Sequence, residues 1–332
     1  MTQLSTKTPV VLLIYKRPST TEKVFQAIRE AAPEKLLIVA NAPRPDNKNE
    51  KELCMAARSI VNRVDWDCEV LQNYADSYLS CKQRITSGLD WVFDNVDEAI
   101  ILEDDCVPHP SFFRYCHELL DYYRHDERVM TIAGTHYQVP RRSPQDSYFF
   151  SRYNMFWGWA TWRRAWKLFD LDMTSWPIVC KTNRLQDILE DRRAVQHWQK
   201  EFQKVYDGYD TWDWQWVLSM WLQSGLTIVP NTNLVSNIGF GLDSAHTQDV
   251  YDWRASMPLK SMSFPLTHPD FILQDVKADF MIQKKYYERV AMHGRGLERV
   301  RRKIWRAKKI FEESRTLSHQ PLHELILRVL SE

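Results

Sequence analysis

The stretch Ile100-Ile-Leu-Glu-Asp-Asp-Cys-Val-Pro108 decides the predicted fold. It continues the apolar run Glu98-Ala-Ile-Ile-Leu102 and then places three carboxylates in a row, at Glu103, Asp104 and Asp105. A short apolar run of this kind is typical of a strand buried on both faces, as in parallel sheets. Adjacent carboxylates repel one another, so their position directly after such a strand indicates a site that something positive compensates.

Apolar runs and helical periodicities alternate on both sides of this strand. The predicted strands are 9–15, 35–40, 68–71, 98–102 and 129–133, and the helices between them are 19–32, 48–62, 78–95 and 110–124. This alternation predicts an α/β fold with a doubly wound, mostly parallel sheet and helices on both faces. Ligands of such folds bind at the carboxyl ends of the strands, which is where the three carboxylates lie.

The regularity of the pattern fades beyond Pro140. A short strand is expected at 148–150, tryptophan-rich helices at 160–169 and 212–223, a further strand at 225–230 and a loop over 231–248. The chain from about residue 266 to residue 332 reads as a basic helical extension.

The composition excludes several classes of protein. A net charge of +1 over 332 residues gives no global field for nucleic acid. The six cysteines form no CxxC pair, which favours thiols of a reducing compartment over a disulfide framework. No leader sequence and no 18-residue apolar stretch is found, so we expect a cytoplasmic protein.

Phosphate chemistry would need a cation here. The chain has only nine glycines and lacks both GxGxxG and GxxxxGK[ST], so it has no glycine-rich phosphate loop. A hard cation, Mn²⁺ or Mg²⁺, would compensate the carboxylates and accept phosphate oxygens. Asp105 is the expected direct ligand, and Asp104 and Glu103 would meet ribose, or the metal through water. The alternative is a polar strand-to-loop transition whose carboxylates cap the next helix.

Four segments carry a resemblance to a known family. They are Leu102-Glu-Asp-Asp105 with Pro108-His-Pro-Ser-Phe-Phe113, Phe156-Trp-Gly-Trp-Ala-Thr-Trp-Arg-Arg-Ala-Trp166, Thr211-Trp-Asp-Trp214 and Gly239-Phe-Gly-Leu-Asp-Ser-Ala-His246. Together they resemble motifs of the GT-A glycosyltransferases of the N-acetylglucosaminyltransferase I type. Up to about residue 250 the chain also resembles bacterial sugar-nucleotide transferases described as hemolytic-protein-like.

The resemblance implies a GT-A domain over 1–265, with a nucleotide-binding half (1–135) and an acceptor and sugar half (136–265), followed by the extension 266–332. It implies a metal-dependent transfer of sugar from a nucleoside-diphosphate sugar, with a UDP-sugar as the expected donor, to a saccharide or lipid-linked acceptor. Surface polysaccharide or glycolipid synthesis is the expected setting. Asp213 would be the general base of an inverting reaction, and His246 would complete the metal shell.

Two departures from the family pattern stand out. The tryptophan motif has one aspartate, Asp213, where the family has two. The acidic nucleoside-binding position after the second strand is replaced by Asn41-Ala-Pro43, so Asn41 is the candidate at that place. Asp213 could instead cap the helix that follows it, and Asp210 rivals it for both roles.

Further donor contacts are expected from aromatic and basic residues. Trp159 follows a glycine that would let a sugar approach closely, although tryptophans at helical spacing are more often core residues. Arg17, after the first strand, and Lys82 and Arg84, at the start of the third long helix, are candidate partners of the diphosphate. For each, a solvated surface charge is the alternative.

The basic extension has two interpretations. Basic residues alternate with apolar ones between Lys284 and Lys309, as in an amphipathic helix. It could pack against the body of the protein, or contact an anionic membrane at its inner face.

Two other functions remain open. A nucleotidyltransferase that makes an NDP-sugar would share the α/β start, but it normally has a glycine-rich basic loop where this chain has Tyr15-Lys-Arg-Pro18. A non-catalytic carbohydrate-binding protein would keep the fold, although the intact acidic and tryptophan motifs favour an enzyme.

Overall fold

The computed structural model describes residues 6–137, 145–241 and 252–288. The chain divides into two compact units, residues 1–282 and residues 283–332. The first unit therefore extends beyond residue 265, where the sequence predicted its end. The physical reason is that the segment after 265 joins the sheet: Gln274 bridges Phe150, and the Asp275 amide donates to the Phe150 carbonyl at 2.8 Å.

The first half of the sheet is parallel, as predicted. Its strands are β1 (Val10–Ile14), β2 (Lys35–Ala40), β3 (Glu69–Tyr74) and β4 (Glu98–Glu103). The helices of this half are α1 (Pro18–Ala31), α2 (Lys48–Val61), α3 (Cys81–Asn95) and α4 (Pro110–Tyr122).

Helices cover both faces of this sheet, which explains why β1 is apolar throughout. Val10, Leu12 and Ile14 pack in a core with α1, α2 and α4. Val11 and Leu13 point the other way, into a core with α3. The predicted doubly wound α/β arrangement is confirmed.

The second half of the sheet is mixed. Strand β8 (Trp159–Trp162) runs antiparallel between β4 and β6 (Val129–Ala133), while β9 (Leu226–Pro230) is parallel to β6 and β7 (Tyr148–Ser151) antiparallel to β9. The sequence predicted a helix over 160–169, and this was wrong for its first residues. Pairing with two neighbouring strands overrides the helical spacing of the tryptophans, and only α5 (Arg163–Trp166) is helical.

A second, two-stranded sheet lies beside the main one. Strand β5 (Cys106–Pro108), which directly follows the acidic triplet, pairs antiparallel with β10 (Val235–Asn237). The sequence predicted only a loop over 231–248. The short β10 holds the following residues close to the triplet.

Further helices complete the described part of the chain. They are α6 (Trp176–Lys181), α7 (Leu185–Ile188), α8 (Arg192–Tyr206), α9 (Asp213–Leu222) and α10 (Val276–Ile282), with a π-helix (Gln283–Glu288) in the second unit. Among the residues described, no helix has the length and apolar character needed to cross a membrane.

Candidate functional site

The strand order places the site. In the residues described, the main sheet runs β3-β2-β1-β4-β8-β6-β9-β7. From β1 the chain winds outward through β2 and β3 and then returns to the opposite side of β1 as β4. The order therefore reverses between β1 and β4, and in sheets of this kind the ligand crevice lies at such a reversal, at the carboxyl ends of the strands. Tyr15 to Arg17 follow β1 at this point, and Asp104 and Asp105 follow β4.

Arg17 joins the two sides of this crevice. One guanidinium nitrogen, Nη1, donates to Asp105 Oδ2 at 2.8 Å, and the other, Nη2, donates to Asp104 Oδ1. The Tyr15 amide donates to Asp104 Oδ2 at 3.2 Å. The sequence predicted a positive group beside the three carboxylates, and in this structure that group is the guanidinium of Arg17. Burial alone would lower the pKa of Arg17, but Asp104 and Asp105 outweigh it and raise that pKa.

The pKa values of Glu103 and Asp104 are both raised, which favours their protonated forms. Burial raises the pKa of Glu103, and the neighbouring charge of Asp105 raises it further. Burial also raises the pKa of Asp104, against the opposing effect of Arg17. Asp213 adds to the shift of Glu103, so these two carboxylates are near enough to interact.

The triplet as arranged does not form a metal site. No group of three or more His, Cys, Asp or Glu side chains suited to a metal occurs within residues 6–137, 145–241 and 252–288. Both oxygens of Asp105 are already hydrogen-bonded: Oδ2 accepts from Arg17, and Oδ1 accepts from the Cys106 thiol at 3.4 Å. His246, the other expected ligand, lies outside the described residues. We therefore derive no step through Mn²⁺ or Mg²⁺.

A glycine passes directly over the ion pair. A Cβ built at Gly239 would lie 1.9 Å from Asp105 Oδ2 and 2.6 Å from Arg17 Nη1, so no larger residue fits without displacing them. The preceding residue, Ile238, donates its amide to the Asp105 carbonyl at 2.9 Å. The start of the predicted late loop thus covers the acidic side of the crevice, while its continuation from residue 242 lies outside the described residues.

The two rival aspartates have different surroundings. Asp210 accepts the Cys81 and Lys82 amides, at 3.0 and 2.9 Å, and so caps the N-terminus of α3. Asp213 is the first residue of α9 and is half-buried; its Oδ1 accepts the Trp214 amide at 3.0 Å and the Thr211 hydroxyl. Capping by Asp210 occupies the amides at the start of α3.

Cys81 is a neighbour that the sequence analysis missed. Burial raises the pKa of its thiol to about 12, and the charges of Glu103, Asp210 and Asp213 act in the same direction. No spacing in the sequence could have indicated this cluster, because only the winding of the chain brings residue 81 beside residues 103 and 213.

Trp159 is a core residue, which corrects the expected sugar contact. It is 1% exposed and stacks on Trp212, with 5.6 Å between ring centroids. The preceding Gly158 (φ 65°) admits Val235 of β10 rather than a ligand, since a Cβ there would lie 2.6 Å from Val235 Cγ2. Trp157 is half-buried and meets Phe240 edge-on, with 5.5 Å between ring centroids. It is therefore more accessible to a ligand than Trp159.

Two more expected donor contacts are engaged in the protein itself. The buried Arg84 donates to the Asn73 carbonyl at 2.8 Å and to its side-chain oxygen at 2.5 Å. Asn41 is also buried. Its side-chain nitrogen donates to the Leu79 carbonyl at 2.8 Å, and its side-chain oxygen accepts the backbone amide of Leu79 at 3.1 Å. Arg84 therefore ties α3 to the end of β3, and Asn41 holds Leu79 before α3, whereas Lys82 keeps a half-buried side chain at the helix start.

An aromatic group on the β2 side of the crevice was also missed. The half-buried rings of Tyr15 and Tyr78 lie 6.1 Å apart, and the exposed Arg44 packs over Tyr78 at 5.3 Å. Behind them the buried Glu50 accepts the Tyr15 hydroxyl and pairs with Lys16 at 3.0 Å. These contacts overcome the effect of burial and lower the pKa of Glu50, which keeps it ionised.

Comparisons with known proteins assign neither a family nor an activity to the chain. No protein-family model matches the chain. No curated protein matches its sequence significantly. A UDP-glucose pyrophosphorylase complexed with UDP-glucose is 9% identical over 50% of this chain and 80% of that one, with a TM-score of 0.30. The inositol-1-phosphate CTP transferase from T. maritima is 9% identical over 68% and 85%, with a TM-score of 0.34. Likeness at this level gives no basis for assigning an activity.

Proposed function

We propose that the chain is a glycosyltransferase that moves a sugar from a nucleoside-diphosphate sugar to a hydroxyl acceptor. The observation that carries this proposal is the ion pair of Arg17 with Asp104 and Asp105 at the switch point of a doubly wound sheet, with Asp213 close enough for its charge to raise the pKa of Glu103. That crevice is the ligand position of such sheets, and it offers both a cation for an anionic donor and a carboxylate for proton transfer.

Asp213 is the proposed general base. It would take the proton of the acceptor hydroxyl as that oxygen attacks the anomeric carbon of the donor sugar. The bond between the sugar and the diphosphate breaks, and the nucleoside diphosphate leaves with the electron pair. Attack opposite the leaving group inverts the anomeric centre. The bonds from Thr211 and the Trp214 amide hold one oxygen of Asp213 in a fixed orientation.

The diphosphate would be met by side chains rather than by a backbone cradle. The loop after β1 contains no glycine, and Pro18 begins α1 directly after Arg17. The amides that open α3 are already bonded to Asp210. Lys82 is therefore the proposed cationic partner of the leaving group, joined by Arg17 when the diphosphate displaces a carboxylate of the triplet from its guanidinium.

The nucleoside would lie on the β2 side, against Tyr15, Tyr78 and Arg44. Partly exposed aromatic rings offer a flat apolar surface for a base, and the guanidinium adds a donor. A uridine nucleotide is the proposed donor carrier, following the resemblance of the acidic and tryptophan motifs.

The nucleotidyltransferase alternative requires a triphosphate site, and the short loop without glycine after β1 counts against it.

Incubation with a panel of NDP-sugars, an acceptor mixture and either Mn²⁺ or a chelator distinguishes glycosyl transfer, nucleotidyl transfer and binding without turnover. We expect release of the nucleoside diphosphate, lost in Asp105→Ala and kept in the exposed control Asp187→Asn. Release of pyrophosphate from a nucleoside triphosphate would contradict transfer, and sugar binding without turnover would indicate a non-catalytic protein.

A further inference from the structure

Glu50 is a buried acidic residue at the start of α2 that the sequence analysis did not single out. It is 1% exposed and lies in the first turn of the helix, where its backbone amide donates to the side chain of the N-cap residue Asn47 at 3.1 Å. A glutamate at this position commonly reaches back to the amide of the N-cap residue. Here that amide donates to the Arg44 carbonyl at 3.2 Å, so capping does not explain the Glu50 side chain.

The carboxylate of Glu50 reaches the segment that follows β1. Its Oε1 atom accepts the Tyr15 hydroxyl and pairs with the Lys16 ammonium at 3.0 Å. Burial raises the pKa of Glu50, but these two partners outweigh burial and hold that pKa below its ordinary value. A single ionised oxygen therefore fixes two consecutive residues at the switch point of the sheet.

The other oxygen of this carboxylate is unsatisfied. Within residues 6–137, 145–241 and 252–288, no group donates a hydrogen bond to Glu50 Oε2, and the atom is buried. A buried charge with an unsatisfied oxygen costs stability, and an apolar residue of similar volume often serves a fold as well or better. The packing of α2 therefore does not account for a glutamate at position 50, whereas a role in placing Tyr15 does.

The Tyr15 ring is the partly accessible end of this network. It is half-buried, its centroid lies 6.1 Å from that of Tyr78, and the Lys16 ammonium lies 5.3 Å from its centroid. A tyrosine side chain turns about only two bonds, so a hydrogen bond at the hydroxyl restricts most of its remaining freedom. A ring that is fixed in advance loses less conformational entropy when a ligand packs on it.

We propose that Glu50 is a positioning residue of the nucleoside site. By holding the Tyr15 hydroxyl, it fixes the Tyr15 ring beside Tyr78 in the orientation that receives the base. Glu50 itself does not touch the nucleotide. This inference rests on the proposed function, since it takes the β2 side of the switch point as the place of the nucleoside. It adds a residue on which nucleotide affinity depends without direct contact.

Calorimetric titration of the full chain with UDP and with inorganic pyrophosphate tests this role. Glu50→Leu removes both oxygens at similar volume, Glu50→Gln keeps an acceptor for the Tyr15 hydroxyl, and Tyr15→Phe removes only that hydroxyl. Tyr148→Phe is the matched control, because it also loses a hydrogen-bonded tyrosine hydroxyl, on β7 and outside the proposed site. Thermal melting shows whether each variant is folded.

We expect Glu50→Leu and Tyr15→Phe to bind UDP about tenfold more weakly than the wild type, as for one lost hydrogen bond to a charged group. The double variant should bind no more weakly than Glu50→Leu, because both substitutions break the same bond. Glu50→Gln should recover part of the loss. Pyrophosphate, which has no base, should bind all these proteins equally, and Tyr148→Phe should bind UDP like the wild type.

Equal UDP affinity in the wild type and Tyr15→Phe would overturn the proposed role. So would an equal loss of UDP and pyrophosphate affinity in Glu50→Leu, because that substitution would then disturb the whole site. Sugar transfer is measured separately: UDP binding without transfer would contradict the proposed function, and the effect of Glu50 on binding would still be measured. A wild type that binds no nucleoside diphosphate would overturn both.

Discussion

Arg17 is the residue whose role the structure changes most. The sequence marked it as a partner of the donor phosphates, and it marked the triplet as a site that needs a cation. Arg17 lies 88 positions before Asp105, so nothing local in the sequence connects the two requirements. The parallel pairing of β1 with β4 brings them together, and the guanidinium becomes the counter-charge of the carboxylates.

Removal of Arg17 should make the triplet attractive to a divalent cation. In Arg17→Ala, Asp104 and Asp105 lose their counter-charge, so the variant should melt at a lower temperature than the wild type. Added Mg²⁺ should raise the melting temperature of the variant more than that of the wild type, because only the variant has uncompensated carboxylates. Differential scanning fluorimetry with and without Mg²⁺ measures this. An equal response of both proteins would show that Arg17 does not compete with cations for the triplet.

Substitution of Asp213 should affect the transfer rate, whereas substitution of Asp210 should affect the stability of the protein. Asp213→Asn should keep nucleotide binding and melting temperature but lower the transfer rate about 10²-fold or more, because it cannot accept the proton. Asp210→Ala removes the acceptors of the Cys81 and Lys82 amides and should cost about 0.5–2 kcal/mol of unfolding free energy, with a smaller effect on rate. Rate measurements and denaturant unfolding on both variants provide the test. Transfer that survives in Asp213→Asn would contradict its assignment as the base.

Tyr78 should contribute to nucleotide affinity. Loss of its ring in Tyr78→Ala removes the proposed platform for the base and should weaken binding of a nucleoside diphosphate about tenfold. Tyr206→Ala is the control, because that tyrosine is 45% exposed on α8. Calorimetric titration with UDP measures both. Unchanged affinity in Tyr78→Ala would move the nucleoside away from the β2 side.

At the scale of elements, the sequence predicted what depends on local periodicity. The boundaries of β1, β2, α2 and β4 differ from the prediction by at most one residue at either end, because buried parallel strands and capped helices have strong local patterns. Strands β8 and β10 were not predicted. Trp159 to Trp162 have the spacing of a helix, and β10 has only three residues, so both depend on partners far away in the sequence.

The attachment of α10 should depend on pH through Asp279. Burial raises the pKa of its carboxyl to about 6, above the ordinary value of 3.8, so the folded protein holds the proton more tightly than the unfolded chain. The stability that Asp279 contributes should be complete below about pH 4 and be lost as the pH rises through about 6, a change of about 3 kcal/mol. Unfolding of the wild type and Asp279→Asn across this range isolates the effect. A difference between the two proteins that stays constant with pH would contradict it.

At the scale of the whole molecule, the sequence predicted the fold class, and it placed the candidate site at the carboxyl ends of the strands, which stays a prediction. The alternation of strands and helices was sufficient for the fold class, and the acidic triplet after a buried strand is the basis of the predicted site. The sequence did not predict which residues most of the candidate side chains contact. Trp159, Arg84 and Asn41 carry the expected chemical groups, but the long-range packing of the chain buries them and engages them elsewhere.

The domain boundary illustrates the same limit. The composition changes near residue 265, yet the chain continues to bond to β7 up to α10 through Asp275 and Asp279. Buried carboxylates of this kind are invisible in a hydrophobicity pattern, because they look like solvent-exposed residues of a polar helix.

A crystal structure of the protein with bound UDP would test the central proposal most directly. We expect the diphosphate between the carboxyl ends of β1 and β4, within hydrogen-bonding distance of Arg17 or Lys82, and the base against Tyr78. A nucleotide bound elsewhere on the molecule, with the ion pair of Arg17 and Asp105 undisturbed and the crevice empty, would contradict the proposed site.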